Sequence, residues 1–178
     1  QIQGFFDIPV DHLDASAIFY PYLKNLNLEN MIIASPDVGG TARARSYAKL
    51  LEVDMVICDK QRKRANEVAS MQVIGDVEGK DVVLVDDMVD TAGTISKAGT
   101  LLKEKGAKSV RAFATHGVLS GNAYKNIEES ALEELIITDT IPQKGESSKI
   151  KVLTVAELFA KAIRKIHDHE SISSLFIK

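Results

Sequence analysis

One short segment of the sequence combines acidic, hydroxyl and glycine residues in a pattern that suits a phosphorylated sugar. An apolar run, Val82–Val85, leads into two carboxylates, and a turn with a third carboxylate precedes a helical stretch that begins at Thr94. A loop between a strand and a helix offers free backbone N–H groups to an anion. Carboxylates repel an anion unless they face something else, such as sugar hydroxyls or a metal. The segment therefore predicts a sugar phosphate site built from Asp86, Asp87, Asp90, Thr91, Gly93 and Thr94. The alternative is an acidic turn followed by an ordinary helix cap.

A second loop of the same kind spans Ser35–Thr41, between the apolar run Met31–Ser35 and a helical stretch. Gly39 and Gly40 let the backbone approach a polyphosphate closely, and Asp37 can hold the Mg²⁺ that accompanies such a ligand. A glycine turn that simply joins strand to helix explains the same residues. Neither GxxxxGK[ST] nor GxGxxG occurs in the sequence, so a Walker-type or dinucleotide site does not explain these loops.

The third feature is a basic run, Lys60–Arg64, with four cations in five residues of a chain whose formal net charge is −3. The run directly follows a predicted strand, Asp54–Asp59, at the sheet edge that also carries both loops. One interpretation is a cationic lid over the phosphate sites. A solvated hairpin tip and a localisation signal are the other two interpretations.

The elements that must position these loops follow from apolar runs that alternate with helical stretches. Most runs are continuous, which is typical of strands that are buried on both faces and joined by helical crossovers. Helices are predicted over Thr94–Lys105, which ends at Gly106, and over Val155–Ile166, whose apolar stripe is expected to be core. The sequence thus predicts an α/β fold with a doubly wound, mostly parallel sheet. The predicted strands are Met31–Ser35, Asp54–Asp59, Asp81–Val85, Ser109–Thr115, Leu135–Thr138 and Ile150–Leu153.

The length and composition fit a globular protein, with 178 residues of which 45% are hydrophobic and 26% charged. The slightly negative charge argues against a nucleic acid or an anionic membrane as the main partner. No apolar run approaches the roughly 18 residues of a membrane span and the start lacks a signal-peptide pattern, so a cytoplasmic location is expected. The single cysteine, Cys58, lies in an apolar run and is interpreted as a buried structural thiol.

Several blocks of the sequence together resemble the ribose-phosphate pyrophosphokinase family. They are QIQGFFDIPVDHL, SPDVGG, KQRKRANEV, VVLVDDMVDTAGT, THGVLSG and ESISSLF, and they extend over the whole chain. The DDxxDTxGT pattern alone would indicate only the wider type I phosphoribosyltransferases, whereas the other blocks select the synthetase. The resemblance implies the type I phosphoribosyltransferase fold. It also implies transfer of the diphosphoryl group of MgATP to the anomeric hydroxyl of ribose 5-phosphate, with release of AMP.

The resemblance also implies roles for particular residues. Asp90–Thr94, including Ala92, match the ribose 5-phosphate loop of the family, while Asp86 and Asp87 face the ribose hydroxyls. The catalytic flexible loop of the family is matched by Lys60 and Arg62, which stabilise the transition state. A further group of residues matches the pyrophosphate and ATP loop of the family: Asp37, Val38, Gly39, Gly40 and Arg43. Within this group, the resemblance links Asp37 to Mg²⁺.

The resemblance further implies three regions: an arm, 1–15, of an N-terminal domain, a phosphoribosyltransferase-like catalytic domain, 16–170, and a segment, 171–178, that returns toward the N-terminal domain. The start at Gln1 predicts a cut chain. A fragment without the N-terminal domain is expected to be inactive, because in the family that domain supplies much of the adenine site and a metal-binding histidine lies just before the QIQGFF segment. By motif, none of His12, His116, His167 and His169 substitutes for that histidine. Homo-oligomeric assembly and regulation by phosphate or ADP are also implied. Candidate allosteric residues are Gln3, Asp11, His12, Ser171, Ser173 and Phe176.

Two alternative functions stay open at the level of the sequence. A nucleobase phosphoribosyltransferase would share the fold and the DDxxDTxGT pattern, but it would not explain the KQRKRANEV and QIQGFF blocks. A non-catalytic regulatory homologue would assemble with active subunits. The presence of Asp37, Lys60, Arg62 and Asp90 argues against such a loss of chemistry.

Overall fold

Residues 2–61 and 70–176 are described by a computed structural model, and within these ranges seven strands form one sheet. Their order across the sheet is β3-β2-β1-β4-β5-β6-β7, and each neighbouring pair is parallel except β2 with β3. The predicted α/β fold with a mostly parallel sheet is therefore confirmed. The strands are β1 (Met31–Ser35), β2 (Met55–Gln61), β3 (Ser70–Ile74), β4 (Asp81–Val89), β5 (Ser109–Gly117), β6 (Glu134–Thr138) and β7 (Ile150–Leu153).

Helices cover both faces of the sheet. Because side chains of a strand point alternately to opposite faces, β4 contributes to two apolar clusters. Val82 and Leu84 pack with α3 and α4, whereas Val83 and Val85 pack with α1 and α2. Each of these four side chains is at most 1% exposed, which explains the continuous apolar run. The helices are α1 (Ser16–Asn25), α2 (Thr41–Leu51), α3 (Gly93–Glu104), α4 (Ala123–Glu129) and α5 (Ala156–His167), and 3₁₀ turns lie at Ile2–Phe5 and Ser173–Leu175. In the part of the chain that is described, no helix is long and apolar enough to span a bilayer.

Strand β4 is longer than the sequence predicts. The apolar run ends at Val85, but the strand continues through both carboxylates to Val89. The partner strand β5 accounts for the difference, because it stays in register with β4 as far as the pairing of Val89 with Gly117. Asp86 and Asp87 therefore lie within the strand, ahead of the turn.

The edge strand β3 was not predicted from the sequence. It pairs antiparallel with β2, and this pairing carries β2 past the predicted end at Asp59 as far as Gln61. β3 is short and lies at the sheet edge. Met71 and Val73 pack against the core while Ile74 is 56% exposed, so the strand lacks the continuous apolar run of its neighbours.

The apolar stripe of α5 is not core, contrary to the sequence prediction. Ala162 is buried, but Phe159 is 48%, Ile163 65% and Ile166 58% exposed. The helix follows β7, the last strand at that end of the sheet, and most of its apolar stripe is left uncovered.

The thiol of Cys58 is fully buried in β2, as predicted. Burial raises its pKa to about 11. The reactive thiolate is therefore a minor form at neutral pH, which agrees with a structural side chain.

Candidate functional site

The two glycine-containing loops meet at the carboxyl edge of the sheet. β1 and β4 are parallel neighbours, so the loops that follow them emerge side by side. A cavity of about 200 Å³ lies between them and is lined by Asp37, Asp86 and Asp90 together with the loop residues 91–94. A larger depression, about 850 Å³, lies at the opposite edge of the sheet, around the starts of β1 and β4. We assign the candidate site to the smaller cavity because it alone of these two joins both predicted loops.

The loop after β1 is held in a tight turn by its own polar groups. The Ser35 hydroxyl donates to the carbonyl oxygen of Asp37 at 2.6 Å, and the N–H of Gly40 donates to Asp37 Oδ1 at 2.8 Å. A Cβ at Gly40 would lie 2.8 Å from Ser35 Oγ, so any larger residue there would displace this hydroxyl. The turn delivers the chain into α2 at Thr41 and leaves Asp37 on the wall of the cavity.

The loop after β4 enters α3 through an unusual backbone conformation. Ala92, at the N-cap, has φ 59° and ψ 7°, in the left-handed region that non-glycine residues rarely adopt. Its side chain makes no capping hydrogen bond, so it leaves the N–H groups of the first helical turn uncapped. Gly93 and Thr94 of that turn line the cavity. A helix N-terminus in this state favours an anion.

Arg43 of α2 connects the two halves of the site. Its guanidinium contacts Asp86 Oδ1 through Nη1 at 3.0 Å and Asp87 Oδ2 through Nη2 at 2.7 Å. A guanidinium is suited to such a two-point contact because its N–H groups form a planar fork. Arg43 was predicted as a phosphate contact, and in the structure its side chain is held beside both carboxylates of β4.

The charged form of Asp86 is energetically disfavoured in the folded protein. Burial raises its pKa from an ordinary 3.8 to about 6, and the adjacent Asp87 carboxylate adds to the increase, while the N–H of Asp87 and the Arg43 guanidinium oppose it. Asp86 is 23% exposed at the side chain and Asp87 is 65% exposed, so the two neighbouring acids differ in environment. Perturbed carboxylates of this kind cluster at functional sites.

Residues 61–177 match the family model described as the phosphoribosyl synthetase-associated domain. The chain belongs to this family. A ribose-phosphate pyrophosphokinase from Wolinella succinogenes is 59% identical over 177 residues, which cover 99% of this chain and 57% of that relative. The ribose-phosphate pyrophosphokinase of Porphyromonas gingivalis is 58% identical and is covered over 56% of its length. The chain therefore spans little more than half the length of these relatives, and the predicted resemblance to their family is confirmed.

Solved structures give the same result for the fold. The phosphoribosylpyrophosphate synthetase from Mycobacterium smegmatis superposes with a TM-score of 0.85 at 40% identity, over 95% of this chain and 56% of that chain. An adenine phosphoribosyltransferase superposes with a TM-score of 0.54 at 18% identity, over 67% of this chain and 74% of that chain. The second likeness concerns the fold alone. The phosphoribosyltransferase fold that the sequence predicted for this chain is therefore confirmed.

Of the two residues predicted to be catalytic, only Lys60 lies within the described part of the chain. Lys60 belongs to β2, where it pairs with Met71 of β3. Arg62 lies outside the described residues. The catalytic role of both residues stays a prediction, as does the lid interpretation of the basic run.

The candidate allosteric residues fall on both ends of the described chain. Asp11 and His12 are exposed, and Gln3 belongs to the 3₁₀ turn Ile2–Phe5. Ser171 and Ser173 are also exposed, with their hydroxyls 2.9 Å apart, and Phe176 follows the second 3₁₀ turn. Their regulatory role stays a prediction, as do the three regions 1–15, 16–170 and 171–178.

Two residues that the sequence did not single out contact the loop after β4. Ser120 donates its hydroxyl to Asp90 Oδ1, and Asn126 donates its Nδ2–H to the carbonyl oxygen of Thr91 at 2.8 Å. They are 30 and 35 residues away from their partners along the chain. Sequence spacing therefore gave no signal that could have found them.

Proposed function

We propose that this chain forms the ribose 5-phosphate and diphosphate sites of a ribose-phosphate pyrophosphokinase. Such an enzyme transfers the diphosphoryl group of MgATP to the anomeric hydroxyl of ribose 5-phosphate and releases AMP. The proposal is carried by the meeting of two strand–loop–helix segments at one acidic cavity, in a chain 59% identical to a relative of that name. We assign substrate binding to this chain. The complete reaction is assigned to a protein that also contains the part of the relatives outside the match.

The loop after β4 is suited to the sugar phosphate. Thr91 and Thr94 offer hydroxyls, and the first turn of α3 offers N–H groups, to the phosphate of the ligand. Asp90 and the acids of β4 accept hydrogen bonds from the ribose hydroxyls. The negative side chains thus face the neutral part of the ligand, while the backbone faces its charged part.

The loop Asp37–Gly40 is suited to the diphosphate and its metal ion. Within residues 2–61 and 70–176, no group of three or more His, Cys, Asp or Glu side chains is arranged to hold a metal. Mg²⁺ is commonly bound by one or two carboxylates together with substrate phosphates, so the single carboxylate of Asp37 fits this mode. When bound with ATP, Mg²⁺ would neutralise charge on the phosphates.

The reaction needs positioning and charge neutralisation more than covalent chemistry by the protein. The anomeric oxygen forms a bond to the β-phosphorus of ATP as the bond from that phosphorus to the oxygen of AMP breaks. The hydroxyl proton passes to solvent, and AMP leaves with the bridging oxygen. Residues 90–94 fix the ribose, the loop after β1 holds the phosphates, and Lys60 and Arg62 are proposed to stabilise the charge that develops.

Calorimetry with ribose 5-phosphate tests the proposed site in this chain directly. The parent is expected to bind the ligand, and Asp90→Asn is expected to weaken binding by about tenfold or more, because it removes a charged acceptor. Circular dichroism checks that the variant keeps the fold. Equal binding by parent and variant would remove Asp90 from the site.

Turnover is tested in a chimera in which this chain replaces the matching segment of the Wolinella succinogenes relative. With Mg²⁺, ATP and ribose 5-phosphate, the chimera is expected to release AMP, whereas this chain alone is expected to release none. A chimera that binds ribose 5-phosphate without turnover would favour a non-catalytic homologue. Release of pyrophosphate from phosphoribosyl pyrophosphate and a nucleobase would favour a phosphoribosyltransferase.

A further inference from the structure

The segment between β5 and α4 is bonded to the end of β4 by its backbone. The N–H groups of Val118 and Leu119 both donate to the carbonyl oxygen of Val89, at 3.0 and 3.2 Å, and the N–H of Ser120 donates to the carbonyl oxygen of Asp90 at 3.0 Å. Leu119 adopts a left-handed φ of 47° to make this approach. The segment therefore follows the start of the candidate phosphate loop closely.

Side chains extend this contact along the loop. The Ser120 hydroxyl donates to Asp90 Oδ1, and the Asn126 side chain donates to the carbonyl oxygen of Thr91. Asn126 is itself tied to α3, because its carbonyl oxygen accepts a hydrogen bond from the Ser96 hydroxyl at 3.1 Å. The loop is thus held at two points: the Asp90 carboxylate and the carbonyl group of Thr91, which directly precedes the left-handed Ala92.

The loop needs support of this kind. Asp90 and Thr91 are exposed, so packing does not fix their side chains. Ala92 holds a conformation that alanine disfavours, and such a conformation persists only where surrounding contacts determine it. An exposed carboxylate without a partner would rotate freely among its rotamers.

We infer, on the basis of the proposed function, that Ser120 is a positioning residue that orients the Asp90 carboxylate toward the ribose hydroxyls. Its hydroxyl occupies one carboxylate oxygen and fixes the rotation of the group. The other oxygen is then free to accept a hydrogen bond from the sugar. Ser120 is uncharged, so its contribution to binding is separable from the charge of Asp90.

The test measures ribose 5-phosphate affinity by calorimetry in Ser120→Ala and Ser120→Thr. Loss of the hydroxyl is expected to weaken binding by about three- to tenfold, since the ligand must then order a carboxylate that Ser120 already holds in the parent. Threonine keeps the hydroxyl at this exposed position and is expected to restore affinity. Ser147→Ala is the matched control, because the Ser147 hydroxyl also donates to a carboxylate, that of Glu128, and neither residue lines the candidate cavity. It is expected to bind like the parent.

Two further measurements separate positioning from a general structural effect. In an Asp90→Ala background, Ser120→Ala is expected to change affinity no further, because the two residues act as one unit. In the chimera, Ser120→Ala is expected to raise KM for ribose 5-phosphate while kcat stays within about twofold, the pattern of a lost interaction made equally in the bound and transition states.

The outcomes distinguish this inference from the proposed function. If Asp90→Asn weakens binding and Ser120→Ala does not, Ser120 has no positioning role while the site stands. An effect of Ser120→Ala that persists in the Asp90→Ala background, or that threonine does not rescue, would also overturn the role. A parent chain and chimera that neither bind nor turn over ribose 5-phosphate would overturn the proposed function, and this inference with it.

Discussion

Replacing Asp86 by asparagine is expected to make the protein more stable at neutral pH, although it damages the candidate site. The carboxylate lies beside Asp87 and is largely removed from solvent, and both facts disfavour its charge. A carboxamide has almost the same shape but no charge. It therefore removes the burial cost and the repulsion from Asp87, while Arg43 keeps its contact with Asp87 at 2.7 Å.

The magnitude follows from the pKa of Asp86, which burial raises from 3.8 to about 6. Since a tenfold change in a proton equilibrium corresponds to about 1.4 kcal/mol, the charged form costs the folded state at most about 3 kcal/mol. The opposing effect of Arg43 is already contained in this pKa. Asp86 binds its proton more tightly in the folded state than in the unfolded chain. The loss of stability caused by its charge is therefore absent below about pH 4, grows between about pH 4 and 6, and is complete above about pH 6.

Urea unfolding of parent and Asp86→Asn between pH 4 and 8 measures this difference. The free energies of unfolding are expected to be similar at pH 4 and to diverge in favour of the variant as the pH rises toward 7. Ribose 5-phosphate binding is expected to weaken in the same variant, which is the usual exchange of stability for function at a strained site.

Asp139→Asn is the control, because its effect on stability is expected to have the opposite sign. Hydrogen bonds from Thr154 and from the N–H of Val155 hold the pKa of Asp139 below its ordinary value. Its contribution to stability is therefore present above the ordinary pKa of 3.8 and is lost as the pH falls through the lower value of the folded state. This variant should be less stable than the parent at pH 7. Equal stability of parent and Asp86→Asn at pH 7 would refute the reasoning, because ionising Asp86 would then carry no net cost in the folded state.

Three further predictions concern the fold, the loop after β1 and the basic run. Gly99→Ala in α3 is expected to destabilise the protein by about 1–3 kcal/mol in urea unfolding despite the better helix propensity of alanine, because its Cβ would lie 2.8 Å from Leu132 Cδ2. Gly40→Ala is expected to weaken pyrophosphate binding, measured by calorimetry, because its Cβ would displace the Ser35 hydroxyl that holds the turn. In the chimera, Arg62→Ala is expected to lower kcat by a factor on the order of 10²–10⁴ with only modest changes in KM, and an unchanged kcat would favour the solvated hairpin tip.

The sequence predicts the centre of the fold well because buried parallel strands leave a strong signal. The apolar residues Val82–Val85 must fill cores on both faces of the sheet, so β4 is recognisable without its neighbours. The positions of the two candidate phosphate loops follow from the same signal, since each loop directly follows such a strand. Local pattern and tertiary structure agree at these positions.

The parts that the sequence did not predict depend on contacts between distant segments. The extension of β4 through Asp86 and Asp87 is set by pairing with β5, and polar residues there resemble the end of a strand. β3 forms because its backbone pairs with the free edge of β2; its own residues do not form a continuous apolar run. Ser120 acquires its place beside Asp90 only when β4 and β5 lie side by side.

The unequal lengths of β1 and β4 explain how an acidic pair comes to lie beside the loop after β1, a candidate phosphate loop. Pairing between the two strands ends with Ala34 opposite Leu84, and β4 then continues beside β5 alone. The continuation carries both carboxylates past the end of β1, where the chain has turned into the loop that leads to α2. Arg43, on the first turn of that helix, can therefore reach across to them. The fully buried residues behind this edge, such as Val83 and Leu84, supply the stability that offsets the cost of the charged Asp86.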